Sequence, residues 1–230
     1  MYKAEYIDYA YLVGEGTPEG FEKAVGDALA HKPRGLCVNP IVQDWLASRP
    51  QLRKVFFDDL PDAGVLRQFV IDFPLGQGGF ERKHESAKRL ADAGLTDEFD
   101  IVANVGAILS GDYPQFAKEI APVIELGKPV KVIVETGYYV KDGKDDETML
   151  ERTLEWCVQL GVFAIKTSTG FLKNIDNETK RRHVAFWRSF ISERGYRIKI
   201  KDSGSKRSRD DIDRSLAAGA DIVGCSVVIE

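Results

Sequence analysis

Cysteine is scarce in this 230-residue chain. Cys37, Cys157 and Cys225 show neither paired spacing nor a nearby histidine. That argues against a disulfide framework and a thiolate zinc site, and it points to a reducing compartment. Histidine is equally thin: His31, His84 and His183 all fall on helical patterns among polar neighbours. They read as exposed surface residues, and there is no Ser/His/Asp or Cys/His arrangement. No uncharged apolar run approaches membrane-spanning length, and the start Met1-Tyr2-Lys3-Ala4-Glu5 lacks the apolar segment of a secretory signal. The expected localisation is cytoplasmic. Charge of one sign is not in excess either, since a formal net charge of −4 gives no footing for nucleic acid or an anionic membrane. The basic stretch from Lys199 to Arg207 is interrupted by Asp202 and followed by Asp210-Asp211. A small anionic ligand suits it better than a polyanion.

What is present is an alternation. Apolar, β-branched runs near 5–9, 34–38, 67–73, 98–104, 130–135, 161–166, 196–201 and 220–226 read as strands. Helical patterns lie between them near 18–31, 40–48, 79–93, 114–126, 146–160, 176–194 and 208–218. Thr17-Pro18 and Ser208 with Asp211 have the form of helix starts, and Gly94, Gly127, Gly161, Gly195 and Gly219 that of helix terminators. Eight strands joined by helices in this length suit a parallel (β/α)8 TIM barrel rather than an open sheet. No linker or composition shift divides the chain, so residues 1–230 are expected to form a single domain. Its eighth helix would be very short or absent.

Lys166 is the most informative residue. It closes the buried run Gly161-Val162-Phe163-Ala164-Ile165 and is followed by Thr167-Ser168-Thr169-Gly170. An amine in an apolar setting loses its proton more easily, and only a neutral amine attacks a carbonyl. Strand alternation extends the point. If the apolar sets face the outer helices, the barrel interior receives four acids, Asp8, Glu98, Asp100 and Glu135, and four lysines, Lys131, Lys166, Lys199 and Lys201. Buried charges persist when they are paired, so Glu98 and Lys199 are expected to form an ion pair below the functional layer.

The order of motifs resembles the deoxyribose-phosphate aldolase family almost end to end. The matching segments are Ile7-Asp8, Cys37-Val38-Asn39-Pro40, Phe73-Pro74-Leu75-Gly76 and Asp100-Ile101-Val102-Ala103-Asn104-Val105-Gly106. They continue with Lys131-Val132-Ile133-Val134-Glu135-Thr136-Gly137, Lys166-Thr167-Ser168-Thr169-Gly170-Phe171, Lys201-Asp202-Ser203-Gly204 and Gly224-Cys225-Ser226. The resemblance implies a class I aldolase that needs no metal or other cofactor. In it Lys166 forms a Schiff base with acetaldehyde, while Asp100 and Lys201 serve a proton relay. Asp8, Cys37, Lys131 and Thr169 would contact substrate. Gly170, Gly204, Ser205, Lys206, Gly224 and Ser226 would hold the phosphate. The implied reaction is reversible cleavage of 2-deoxy-D-ribose 5-phosphate to acetaldehyde and D-glyceraldehyde 3-phosphate. Expected partners are aldehyde and sugar-phosphate small molecules, not nucleic acid or membrane, with a homodimer or a tetramer both open as assemblies.

The substrate end departs from the family pattern. Ile7-Asp8-Tyr9-Ala10-Tyr11-Leu12-Val13 stands where the family has Ile-Asp-His-Thr-Leu-Leu-Lys. Ser203-Gly204-Ser205-Lys206-Arg207 replaces Ser-Gly-Gly-Ile-Arg, Val227 replaces a small or hydroxyl residue, and Lys199 replaces a small one. Two alternatives therefore stay open: a Schiff-base aldolase with a different acceptor, phosphorylated or not, and a barrel that binds a phosphometabolite without catalysis.

Overall fold

The β-branched runs become eight short strands: β1 (Ile7–Tyr11), β2 (Gly35–Val38), β3 (Leu66–Ile71), β4 (Glu98–Val102), β5 (Val130–Ile133), β6 (Ala164–Lys166), β7 (Lys199–Asp202) and β8 (Ile222–Cys225). The computed structural model describes residues 4–172, 175–204 and 208–226. Within it each strand pairs in parallel with its sequence neighbours, and β1 pairs with β8, so the barrel closes. Register sets Asp8 beside Gly224, Asp100 beside Lys131 and Lys166 beside Lys201. This register brings charged side chains of β1, β4, β5, β6 and β7 within reach of one another inside the barrel. The other parity set, which includes Phe69, Phe99, Ile101, Val132, Ile165 and Ile200, is fully buried in the apolar core beneath the helices.

Helices α1 (Pro18–His31), α2 (Val42–Ser48), α3 (Pro50–Lys54), α4 (Leu60–Asp62), α5 (Gly79–Asp92), α6 (Val105–Ser110), α7 (Tyr113–Ile124), α8 (Glu147–Gln159), α9 (Asn177–Arg194) and α10 (Arg209–Ala217) form the outer layer. The expected starts are in place. Thr17 accepts from the Gly20 amide at the head of α1, and Ser208 accepts from the Asp211 amide at the head of α10. All five terminator glycines have positive φ. Between β2 and β3 the sequence pattern predicts one helix over 40–48. The structure continues through α3, a π-helical turn (Val55–Asp59) and α4, which bury Leu52, Phe56 and Leu60. Pro50 and Pro61 each sit at a helix start, so they punctuate helices rather than end the helical stretch. β4 also ends earlier than expected, because the Asn104 side chain accepts from the Ala107 amide and starts α6.

Two expectations are corrected. His183 is fully buried on α9, with Nε2 3.2 Å from Asp145 Oδ1. The connection after β5 folds into a hairpin (Val140–Lys141 with Lys144–Asp145) that covers this face of α9. Lys199 is exposed at the N-terminal mouth of the barrel, its amine 5.0 Å from the Phe163 ring centre. It does not pair with Glu98. Lys199 has interior parity but stands at the first residue of β7, where the barrel opens to water. The expected eighth helix would fall on residues 227–230, outside the described residues. No helix among the described residues is long and apolar enough to cross a membrane.

Candidate active site

Seven strands and their flanks deliver one continuous polar ladder along the barrel axis. At its base the Arg34 guanidinium, one residue before β2, donates to Asp8 Oδ1 at 2.8 Å and to Glu98 Oε1 at 2.5 Å. Gln68 of β3 donates to the same Asp8 oxygen at 2.9 Å. One level up, Lys131 Nζ lies 2.8 Å from Glu98 Oε2 and 2.7 Å from Asp100 Oδ1. Lys201 Nζ lies 2.6 Å from Asp8 Oδ2 and 2.8 Å from Asp100 Oδ2. Lys166 Nζ tops the ladder, 2.7 Å from Asp100 Oδ2. Two amines thus share one carboxylate oxygen, and the third holds the other oxygen. Every interior carboxylate of the ladder meets at least two cationic or amide donors, which is what a buried acid requires to stay ionised.

The electrostatics separate the two upper lysines. Burial lowers the Lys166 pKa, Asp100 opposes that, and neighbouring Lys201 lowers it further. Burial also works against charge on Lys201, but Asp100 and Asp8 together outweigh it and raise the amine well above the usual lysine range. Burial alone would raise Asp100, yet Lys131, Lys166 and Lys201 hold it well below the carboxylate range. Asp8 is likewise depressed against its own burial by Lys201, Lys131 and Arg34. The arrangement contains one amine disposed to be neutral beside one disposed to be charged, with an ionised carboxylate between them.

Above the ladder, hydroxyl groups tie the strand ends together. Thr167 and Ser168 hydroxyls donate to the Ser203 carbonyl, at 3.3 Å and 2.9 Å. The Thr169 hydroxyl and amide both donate to Glu135 Oε2, at 2.7 Å and 2.9 Å. Burial pushes the Glu135 carboxyl up, opposed by the Thr169 hydrogen bonds. This explains why a run of hydroxyl residues follows the lysine. A cleft of about 310 Å³ opens over Lys166, walled by Ala10, Leu12 and Val13 on one side and Thr169, Gly170 and Phe171 on another. Its remaining wall is Ser203, Gly204, Gly224, Cys225 and Ser226. Gly204 has φ +85°, and a Cβ there would lie 2.5 Å from Ser168 Oγ and 3.1 Å from the Gly170 backbone. A Cβ on Gly224 would lie 2.1 Å from Ser203 Oγ. The positive φ and the nearby Gly170 backbone reserve position 204 for glycine, and Gly224 on β8 leaves room for the Ser203 hydroxyl.

The structure brings together Lys166, Asp100, Lys201, Asp8 and Lys131 in the ladder, and Thr169, Gly170, Gly204, Gly224 and Ser226 at the cleft. Cys37 is buried on the interior face of β2, its thiol pushed up to about 11 by burial and by Asp100. Ser205 and Lys206 fall outside the described residues. Arg34 and Gln68 are part of the ladder and were not anticipated from the sequence. In the strand expected over 34–38 Arg34 shares the parity of Leu36 and Val38, away from Cys37; β2 begins only at Gly35, so Arg34 is free of that alternation. Gln68 is uncharged, but its place at interior parity on β3 was readable.

Fold and site place the chain among the (β/α)8-barrel enzymes. Comparison with known proteins narrows this. The chain is 33% identical over 229 residues to the deoxyribose-phosphate aldolase of Bacillus cereus strain B4264, across 98% of this chain and 92% of that protein. It is 31% identical over 231 residues to that of Caldicellulosiruptor saccharolyticus, across 97% and 93%. Among solved structures, the aldolase QR15 superposes with a TM-score of 0.79 at 28% identity, covering 98% of this chain and 92% of that one. The tetrameric deoxyribose-phosphate aldolase of Aeropyrum pernix gives 0.78 at 26% identity, covering 97% and 86%. No family model matches the sequence. The chain belongs to the deoxyribose-phosphate aldolase family, and it is an aldolase, a lyase.

Proposed function

We propose that the protein reversibly cleaves 2-deoxy-D-ribose 5-phosphate to acetaldehyde and D-glyceraldehyde 3-phosphate through a Schiff base on Lys166. The observation that carries this reading is the Lys166 amine, buried beneath an open cleft and sharing Asp100 Oδ2 with Lys201. In the synthetic direction the neutral Nζ attacks the acetaldehyde carbonyl carbon, and the carbinolamine loses water to give an iminium. The iminium withdraws electrons, so a methyl proton leaves and an enamine forms. The enamine carbon attacks the aldehyde of the acceptor, whose oxygen takes a proton, and water releases the product from Lys166. Asp100 and Lys201 sit where protons must enter and leave, and the charged Lys201 supports both a neutral Lys166 and a proton relay through water. Gly204 and Gly224 leave room for a phosphate to reach backbone amides at the far wall of the cleft. Asp8 and Lys131 hold Asp100 and Lys201 by ion pairs, and Thr169 lines the cleft beside Lys166, whereas Cys37 is buried on β2 and does not line it. The expected assembly is a homodimer or a tetramer, a reading for which the tetrameric Aeropyrum pernix relative gives support.

Borohydride reduction in the presence of acetaldehyde, followed by intact and peptide mass measurement, tests the mechanism. One ethyl group on Lys166 is the expected result. An unmodified Lys166 under turnover conditions overturns it.

A second reading, an aldolase with an unphosphorylated acceptor, is favoured by one observation. Val13, Ile41, Leu75 and Phe171 are exposed on segments that follow the C-terminal ends of barrel strands, and Leu109 is exposed on α6, which follows β4. A second groove of about 270 Å³, bordered by Tyr11, Ile41 and Trp45, shares Val13 with the catalytic cleft. Comparing kcat/KM for glyceraldehyde 3-phosphate, glyceraldehyde and an aryl aldehyde decides between the two readings.

A further inference from the structure

The ladder contains a charge count that the catalytic trio alone does not explain. Four cations, Arg34, Lys131, Lys201 and Lys166, are in ion-pair contact with three carboxylates, Asp8, Glu98 and Asp100. Arg34 engages two of these acids and Lys131 engages all three, at 3.6 Å from Asp8. Lys201 engages two, and Lys166 meets one. A guanidinium does not deprotonate in a protein. Counted apart from Glu135, whose carboxyl burial pushes toward its neutral form, the ladder reaches neutrality when one of the three amines gives up its proton, and the amine with the fewest carboxylate contacts is Lys166.

We propose that Arg34, which touches neither Lys166 nor the cleft, is the positioning residue whose fixed charge saturates Asp8 and Glu98 and so leaves Lys166 as the amine without a counter-charge. This rests on the Schiff-base reading of Lys166. Arg34 is well suited to the part, being mostly buried, bidentate across two strands and 5.9 Å from the Phe163 ring centre, which closes the barrel base beneath it. Among the described residues, the other polar and charged groups around the ladder have partners or settings of their own. Gln68 is neutral and donates to Asp8 and Glu98. Cys37 is held as a thiol by burial. Glu135 faces Lys166 from above and is served by Thr169. Lys180 of α9 donates to the Gly204 carbonyl, and Lys199 lies outside the ladder on the Phe163 ring.

The sign follows from the count. Removing Arg34 makes the ladder one unit more negative, so Lys166 holds its proton to higher pH. Removing the charge of Glu98 makes it one unit more positive, so Lys166 releases its proton at lower pH. One unit charge at about 10 Å and an effective dielectric of about 20 corresponds to a shift of about one pH unit.

The experiment measures the amount of acetaldehyde adduct trapped on Lys166 by cyanoborohydride as a function of pH, in wild type and four variants. Arg34→Met should move the rising limb up by about one pH unit, and Arg34→Lys should restore it. Glu98→Gln should move the limb down. Arg34→Met/Glu98→Gln removes one charge of each sign and should return it to the wild-type position. If Arg34→Met does not fold, the downward shift of Glu98→Gln and the wild-type limb of the double variant carry the test. Adduct on Lys166 with an unmoved limb, or with both single variants shifted the same way, overturns the Arg34 assignment alone. No adduct on wild-type Lys166 overturns the Schiff-base reading and this inference with it.

Discussion

At the residue scale the decisive contrast is between two lysines on adjacent strands that share one carboxylate oxygen. Lys201 has Asp8 as a second acid, whereas Lys166 faces the cleft with Asp100 alone. In the proposed mechanism, one extra carboxylate separates a fixed cation from the nucleophile. Lys166→Arg keeps the charge but cannot form an imine. It should lower aldol turnover by roughly 10⁴-fold or more, as expected on losing a covalent nucleophile, with thermal unfolding little changed. Turnover within tenfold of wild type would remove Lys166 from the mechanism. Lys201→Leu should slow turnover and also move the rising limb of the kcat/KM–pH profile upward by about one unit or more, because loss of a neighbouring cation favours protonation of Lys166. The apparent values belong to the coupled pair, so the direction of movement is the readout.

At the scale of elements, strand alternation made most of the site legible before any coordinates. Asp100, Lys131, Lys166 and Lys201 lie inside because they alternate with Ile101, Val132, Ile165 and Ile200, which the helices bury. Alternation gives the face of a strand but not the depth at which a residue sits along the barrel. That is why Lys199, with the right parity, ends in water at the mouth. It also misplaces a residue at a strand's edge: Arg34 has the parity of Leu36 and Val38 in the expected run over 34–38, yet it stands just before β2 and supplies the counter-charge assigned to Lys199. The segment between α2 and β3 was misread because its prolines signal breaks, whereas here they begin new helical turns. The Glu98 partnership can be measured. A double-mutant cycle of Glu98→Leu with Lys131→Leu should show a coupling of about 1–3 kcal/mol, as for neighbours in one ion-pair network. The same cycle with Lys199→Leu should be additive to within about 0.5 kcal/mol. Strong coupling to Lys199 would restore the pairing that the structure replaces.

At the scale of the whole molecule, the ladder ties β1, β2, β3, β4, β5, β6 and β7 to one buried network, so its protonation is a property of the barrel rather than of any strand. Asp8 and Asp100 have carboxyls depressed in the folded state, against their burial, by Lys201, Lys131 and the remaining cations. A carboxyl whose folded pKa lies below its unfolded value near 3.9 stabilises the fold fully above that value. The contribution is lost as pH falls toward the folded pKa, because the unfolded chain then binds protons that the native ladder refuses. Unfolding free energy from urea titrations should therefore fall steadily between about pH 5 and pH 2. Lys166 acts on the opposite side. Its folded pKa is lowered, so the unfolded chain binds more protons and stability rises with pH up to the unfolded value near 10.4. Buried Cys37, Cys157 and Tyr139, whose acid forms burial favours, act in the opposite sense, so the Lys166 contribution is read as the difference between wild type and Lys166→Met, which should grow with pH while the acid limb stays in place. Asp100→Asn should flatten the acid limb, and it should lower the overall stability at pH 7 because Lys131, Lys166 and Lys201 lose their shared acceptor. An acid limb equally steep in Asp100→Asn would place the depressed carboxyls elsewhere. A difference between wild type and Lys166→Met that does not change with alkaline pH would show that the native amine holds its proton as firmly as the unfolded one, and the barrel interior would then lack the neutral amine that the proposed mechanism requires.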